Sequence, residues 1–186
     1  MDQACLKAIP ENSESIFEFI LKLKTIPRAG WQKKLRIRRP ESVADHAYSV
    51  AAIAMMLSDI KKLNSEKILK MAILHDLAES ITGDLTPEDG PKSKKTRLEN
   101  SAMKKILSNL DKKKTQKQYN SIWMEYQKNT SREAKLLHDV DKLEMALQAK
   151  IYSKFYSAKK NWHHFLILQK KQITNSDIKK LVEKLG

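Results

Sequence analysis

The apolar residues of this chain fall at helical spacing throughout. Ile16, Phe17, Ile20, Leu21 and Leu23 form a stripe with the three- and four-residue spacing of an α-helix, not the strict alternation of a strand. The same reading predicts a helix from Ser13 to about Thr25, ended by Ile26-Pro27 because the residue before proline disfavours the helical region. A basic linker from Lys33 to Pro40 follows. Ser42 and Asp45 make a capping pattern for a second helix to about Asp59, rich in Ala44, Ala47, Val50, Ala51 and Ala54 and so expected to be buried on more than one side. Asn64 or Ser65 caps a third, which ends near Ile81 to Gly83. After a loop from Asp84 to Lys95, Thr96-x-x-Glu99 opens a fourth helix to about Leu110. Asp111 to Lys117 is a connector, a fifth helix carries Tyr119, Ile122, Trp123 and Tyr126, and Thr130-x-x-Glu133 caps a sixth that extends to about Ala158. A last amphipathic helix runs from Asn175 or Ser176 to Leu185. The expectation is one all-α domain over residues 1–186, without internal repeats.

Composition narrows the chemistry. The four glycines are Gly30, Gly83, Gly90 and Gly186, too widely spaced for a Walker A loop or a G-x-G-x-x-G dinucleotide loop. The single cysteine, Cys5, excludes an internal disulfide framework and any multi-cysteine metal site, and near the terminus it is a poor nucleophile candidate. No apolar run approaches the ~20 residues of a membrane helix, and Met1 to Pro10 lacks the pattern of a signal peptide. Cytoplasmic location is the expectation. Lys plus Arg is 36 against 22 Asp plus Glu, a formal charge of +14. That balance favours anionic partners without choosing among nucleotides, nucleic acid and acidic membrane surfaces, and it also fits ordinary solvated helix faces.

Three places put metal-ligating residue types on helices that otherwise read as buried: His46, the pair His75-Asp76, and the segment His138-Asp139-Val140-Asp141-Lys142-Leu143-Glu144. Imidazole with carboxylate suits a borderline or hard divalent cation. Neighbours on a helix point about 100° apart, so His75 and Asp76 share one ion only if it lies in the angle between them and other helices close the site. Glu79 shares their face and is a candidate acid or base. The stripe Leu136, Val140, Leu143 and Leu147 leaves Asp139 and Asp141 on opposite flanks, so periodicity does not choose between them. His163-His164, Trp123 and Tyr126 read as packing or surface residues.

The motifs together resemble the HD-domain metal-dependent phosphohydrolases, and within them the 5′-deoxynucleotidase branch. The resemblance rests on Arg28-Ala29-Gly30-Trp31, Pro40-Glu41-Ser42-Val43-Ala44-Asp45-His46, Leu74-His75-Asp76-Leu77-Ala78-Glu79, Gly83-Asp84 and Val140-Asp141-Lys142-Leu143-Glu144-Met145-Ala146-Leu147-Gln148-Ala149. These lie in family-like order between about residues 16 and 150, leaving a C-terminal helical extension from about 159 to 186. The resemblance implies an HD-domain helical bundle with a buried site. There His46, His75, Asp76 and Asp141 hold one divalent cation (Mn, Co, Mg or Zn), and His138-Asp139 are bystanders. It implies that Arg28 meets the substrate phosphate, that Trp31 and Asp84 bind substrate with Asp84 at the sugar, and that Glu79 orients water or handles a proton. It further implies a homodimer acting on a small nucleotide. Two alternatives stand beside it: an HD hydrolase of a triphosphate or cyclic nucleotide, and a basic helical nucleic-acid-binding protein using Lys33 to Arg39, Lys92 to Arg97 and Lys112 to Lys117.

Overall fold

The computed structural model describes residues 16–156 and 159–185. Cys5, Ser13, Ala158 and the Met1–Pro10 segment lie outside the described residues. Ten α-helices are present among them: α1 Ile16–Lys22, α2 Ala29–Leu35, α3 Val43–Ile60, α4 Ser65–Leu74, α5 Glu79–Thr82, α6 Lys92–Leu107, α7 Lys113–Lys128, α8 Arg132–Tyr152, α9 Lys159–Gln172 and α10 Ser176–Glu183. No β-strand occurs among the described residues, so the all-α expectation holds.

Several helices begin where local chemistry places them. Ser42 Oγ accepts from the Asp45 N–H (3.2 Å) while Asp45 Oδ2 accepts from the Ser42 N–H (2.9 Å), the reciprocal capping box expected for α3. Its entry is pinned to the end of the preceding turn, since Val43 N–H donates to Ile26 O and Arg28 N–H to Glu41 O. Asn64 caps α4 through the Lys67 N–H. Other boundaries differ from expectation. The linker from Lys33 to Pro40 is partly helical, because Trp31 and Leu35 form a buried i, i+4 pair behind the lysines that dominate its composition. Pro91 precedes α6, so Thr96 and Glu99 lie inside that helix and cap nothing. Ser131, not Thr130, caps α8, which stops at Tyr152. Helix α9 falls within the expected C-terminal helical extension, where the apolar pattern had not delimited a separate helix.

Helix α8 is the hub. It packs on α3, α4, α7, α9 and α10, and buries Ala134, Leu136, Leu137, Val140, Leu143 and Ala146. These meet Val43, Val50 and Ala54 of α3, Ile68 and Met71 of α4, Met103 and Ile106 of α6, and Trp123 of α7. Each such large apolar side chain contributes about 1.5–3 kcal/mol on burial. The small residues of α3 let α4 and α8 approach it from two sides, as the sequence implied. A second cluster of Trp31, Leu35, Ile37, Ala149, Trp162 and Phe165 seats α2 and α9 against the C-terminal half of α8.

Asp139 has a structural task. Its carboxylate, 3% exposed, accepts from Thr174 N–H (2.7 Å), Thr174 Oγ1 (2.9 Å) and Asn175 N–H (2.8 Å), tying the α9–α10 turn to α8. Asn175 in turn caps α10. Losing three bonds to a charged acceptor and leaving donors unpaired costs about 3 kcal/mol. Asp139→Ala is therefore expected to lower the thermal midpoint by roughly 6–12 °C; an unchanged midpoint in a calorimetric scan would refute this clamp.

Candidate metal centre

Helix α4 does not continue to Gly83 as its apolar pattern implied. It ends at Leu74, and the next turns close through tighter i to i−3 bonds: Leu77 N–H to Leu74 O, Glu79 N–H to Asp76 O, and Ser80 N–H to Leu77 O. His75 supplies the cause. Its Nδ1 donates to the Ala72 carbonyl (2.6 Å), the acceptor that Asp76 N–H would use in a continuous helix. The tightened turn swings His75 and Asp76 toward α3 and α8.

There they meet His46 of α3 and Asp141 of α8. His46 Nε2 lies 3.3 Å from Asp141 Oδ1 and 3.7 Å from Asp76 Oδ2, and His75 Nε2 lies 3.2 Å from Asp76 Oδ2. One donor atom each of His46, His75 and Asp141 fall within 4.8 Å of one another. Both Nε2 atoms are buried and neither has a hydrogen-bond partner. Both Nδ1 atoms are engaged, His75 on Ala72 O and His46 on Glu144 Oε2 at 2.6 Å. Each ring is thus oriented from behind with its free nitrogen turned inward, the arrangement that supports imidazole as a ligand. Donors bound at about 2.0–2.2 Å to one cation stand roughly 3–3.5 Å apart, close to the spacings seen. The residues present fit a divalent cation.

Sequence phase left Asp139 and Asp141 open, and the fold separates them. Asp141 faces the histidines, whereas Asp139 faces Thr174. His138 stacks flat on Tyr126 (4.3 Å between centroids) and donates from Nε2 to the Tyr126 carbonyl (3.1 Å). Trp123 and Tyr126 are buried, as expected, and His163 and His164 are exposed.

Arg28 Nη1 sits 3.2 Å from Asp76 Oδ2, 3.5 Å from Asp84 Oδ1 and 3.9 Å from Glu79 Oε2. Burial would lower its pKa, but Asp76, Asp84 and Glu79 together raise it. Asp84 also accepts from the Ala29 N–H (2.8 Å), so it fixes the start of α2. Trp31 is 2% exposed, packs on Tyr152 and Phe165, and donates from Nε1 to Glu41 Oε1 (2.8 Å). Glu79 is buried and its Oε2 receives no hydrogen bond; burial, then Asp76 and Asp84, push its carboxyl well above the usual range. Asp76 and Asp141 are held below that range despite burial, Asp76 chiefly by His75 and Arg28, Asp141 by Lys142 and His46. For His46, burial and Arg28 act downward, but Asp141 and Glu144 prevail and push it up to about 9. These groups open on a cleft of about 640 Å³, which Arg28, Trp31, His75, Asp76, Glu79, Asp84 and Asp141 help to line. That is ample for a small ligand.

Three participants received no individual role in the sequence reading: Glu144, Lys95 and Glu41. Glu144 follows Asp141 by three residues, so helical spacing signals one shared face. Lys95 Nζ lies 3.8 Å from Glu79 Oε1 and 3.4 Å from Glu99 Oε1, and donates to Leu85 O (2.7 Å). No one-dimensional signal marks that role. Glu41 lies near His46 and Glu144. Burial, then Glu144, raise its carboxyl from 4.5 to about 7. The folded chain therefore holds a proton between pH 4.5 and 7 that the unfolded chain has released. Stability from this group is complete below about pH 4.5 and is lost as pH rises through 7, by up to about 3 kcal/mol. Denaturant titrations of chelator-treated protein should show Glu41→Gln falling less than wild type between pH 5 and 7.5; parallel pH profiles would contradict this.

Comparison with known proteins agrees with this geometry. Residues 20–185 match the family model described as HD domain, extending beyond the motif segment into the C-terminal helices. Human 5′-deoxynucleotidase HDDC2 is 40% identical over 144 residues, covering 75% of this chain and 69% of the human protein. The Danio rerio 5′-deoxynucleotidase HDDC2 is 37% identical over 166 residues, covering 83% of this chain and 82% of the fish protein. A crystal structure of a Pyrococcus horikoshii OT3 protein superimposes with a TM-score of 0.78 at 33% identity, over 92% of this chain and 98% of that one. The chain belongs to the HD-domain family.

Proposed function

We propose that this protein is a divalent-metal-dependent 5′-deoxynucleotidase, hydrolysing deoxyribonucleoside 5′-monophosphates to deoxyribonucleosides and phosphate. The observation that carries the reading is the pair of buried, unpartnered imidazole Nε2 atoms converging with Asp76 and Asp141. The named activity of relatives that align over most of this chain supports the substrate class.

In this reading His46, His75, Asp76 and Asp141 hold one cation. Two imidazoles and two carboxylates suit Mn, Co, Mg or Zn to different degrees, and the donor set alone does not select one. The bound cation supplies charge neutralisation for the phosphoryl oxygens and a lowered water pKa. The protein's own groups do the rest. Arg28, already held by carboxylates, offers its remaining planar donors to the phosphate. Glu79, whose carboxyl retains a proton readily, handles a proton beside the reacting group. Asp84 meets the 3′-hydroxyl, and Trp31 forms one wall of the cleft. No activated serine or cysteine is required, because positioning and electrostatics dominate phosphoryl transfer.

The same reading takes the chain as one domain acting as a cytoplasmic homodimer on a small nucleotide. Exposed Tyr48, Met56 and Ile60 on α3 give apolar surface consistent with self-association. No helix among the described residues is long and apolar enough to cross a membrane. The basic surplus then serves to attract an anionic substrate.

Phosphate release from the common dNMPs and NMPs, with Mn, Co, Mg and Zn added separately, tests the activity. Release from dNMPs is expected, and no release with any metal would refute the reading. His75→Ala and Asp76→Ala should each lose bound metal, read by elemental analysis, together with activity; an active metal-free variant would mean the site lies elsewhere. Asp84→Ala should narrow the preference for dAMP over AMP, and unchanged discrimination would remove Asp84 from the sugar site.

A further inference from the structure

Besides Arg28, four cations line the cleft: Lys34, Lys92, Lys95 and Lys142. They differ in what they are free to do. Lys34 and Lys92 are exposed at its rim. Lys95 is committed to the Leu85 carbonyl and to Glu79 and Glu99. Lys142 is different. It extends from α8 directly after Asp141, and its Nζ donates to Asp141 Oδ2 at 2.9 Å. Its other near neighbour is the Met145 sulfur at 4.0 Å, a weak acceptor. An ammonium carries three donors, so one remains and a second is held only by the weak sulfur acceptor, on a side chain 24% exposed within the cleft.

The placement has a simple geometry. Each of the two carboxylates of the cluster carries one cation: Arg28 lies 3.2 Å from Asp76 Oδ2, the oxygen that also faces the histidines, and Lys142 lies 2.9 Å from Asp141 Oδ2, the oxygen not turned to His46. A phosphate monoester brings up to two negative charges on three terminal oxygens, more than one guanidinium can satisfy. We propose that Lys142 is a second phosphate-binding cation of this cleft, donating to phosphoryl oxygens beside Asp141 while Arg28 donates beside Asp76. The inference rests on the phosphomonoesterase reading above and adds to it a residue that the sequence motifs left without a role.

A purely structural Lys142, one that only balances Asp141, would behave differently. Removing it would loosen metal and lower thermal stability without singling out phosphate. The test compares full-length wild type, Lys142→Met and Lys142→Arg, each loaded with Mn, in three measurements: inorganic phosphate binding by calorimetry, competitive inhibition by deoxyadenosine, and metal content with thermal midpoint. Lys142→Met should weaken phosphate binding roughly ten- to hundredfold, the worth of one or two charge-assisted hydrogen bonds. Lys142→Arg should retain most of it. Deoxyadenosine inhibition, metal content and midpoint should stay at wild-type values in both. Unchanged phosphate affinity in Lys142→Met overturns the proposal, and so does a loss of phosphate affinity that merely tracks loss of metal. Should the protein hydrolyse no dNMP, the functional reading fails, while the phosphate comparison still decides the role of Lys142.

Discussion

One imidazole joins the two central helices. His46 of α3 is fully buried, with Nδ1 on Glu144 and Nε2 beside Asp141, two residues one turn apart on α8. A buried ring is costly unless both nitrogens are served. Glu144 serves one, and the other is left facing Asp141 and the His75-Asp76 pair just beyond α4. The remaining apparatus is arranged around that requirement. The capping box of Ser42 and Asp45 sets where α3 starts, and so where His46 stands four residues later. The small residues of α3 bring α8 close enough for contact.

Charge is the second constraint. Glu41, Asp76, Glu79, Asp84, Asp141 and Glu144 gather in one region, while Arg28, Lys95 and Lys142 are the cations set among them. Desolvated carboxylates in such excess must gain protons or find positive charge. The raised Glu41 and Glu79 and the raised His46 express this balance. A divalent cation among the histidines would lessen the same imbalance and displace the His46 proton. On the proposed function, the fold builds a phosphate-accepting site without a glycine loop, in a protein whose net charge is +14.

Much of this was readable in one dimension. Helical spacing, the caps at Ser42 and Asn64, and the burial of Trp123 follow from side-chain chemistry between residues a few positions apart. So do the His and Asp candidates, because imidazole and carboxylate stand out on apolar helices. The misreadings share a cause. Helix α2 hides behind lysines because its buried pair, Trp31 and Leu35, faces a cluster supplied by distant α8 and α9. The apolar run through Leu77 looks continuous, yet one side-chain bond from His75 to Ala72 breaks the helix there.

The sequence by itself determined that the chain is helical, which residue types could bind a cation, and that glycine-loop and cysteine chemistry are absent from it. Only the tertiary structure gave the physical reason that separates Asp141, to which the family resemblance pointed, from Asp139. Both lie on the flanks of one apolar stripe, and their helical phase is equally good. The difference is what stands opposite: His46 on one side, the backbone of Thr174 and Asn175 on the other. A residue's phase on its helix is local, but its partner depends on how elements 35 to 98 residues apart in sequence pack, and no local pattern encodes that.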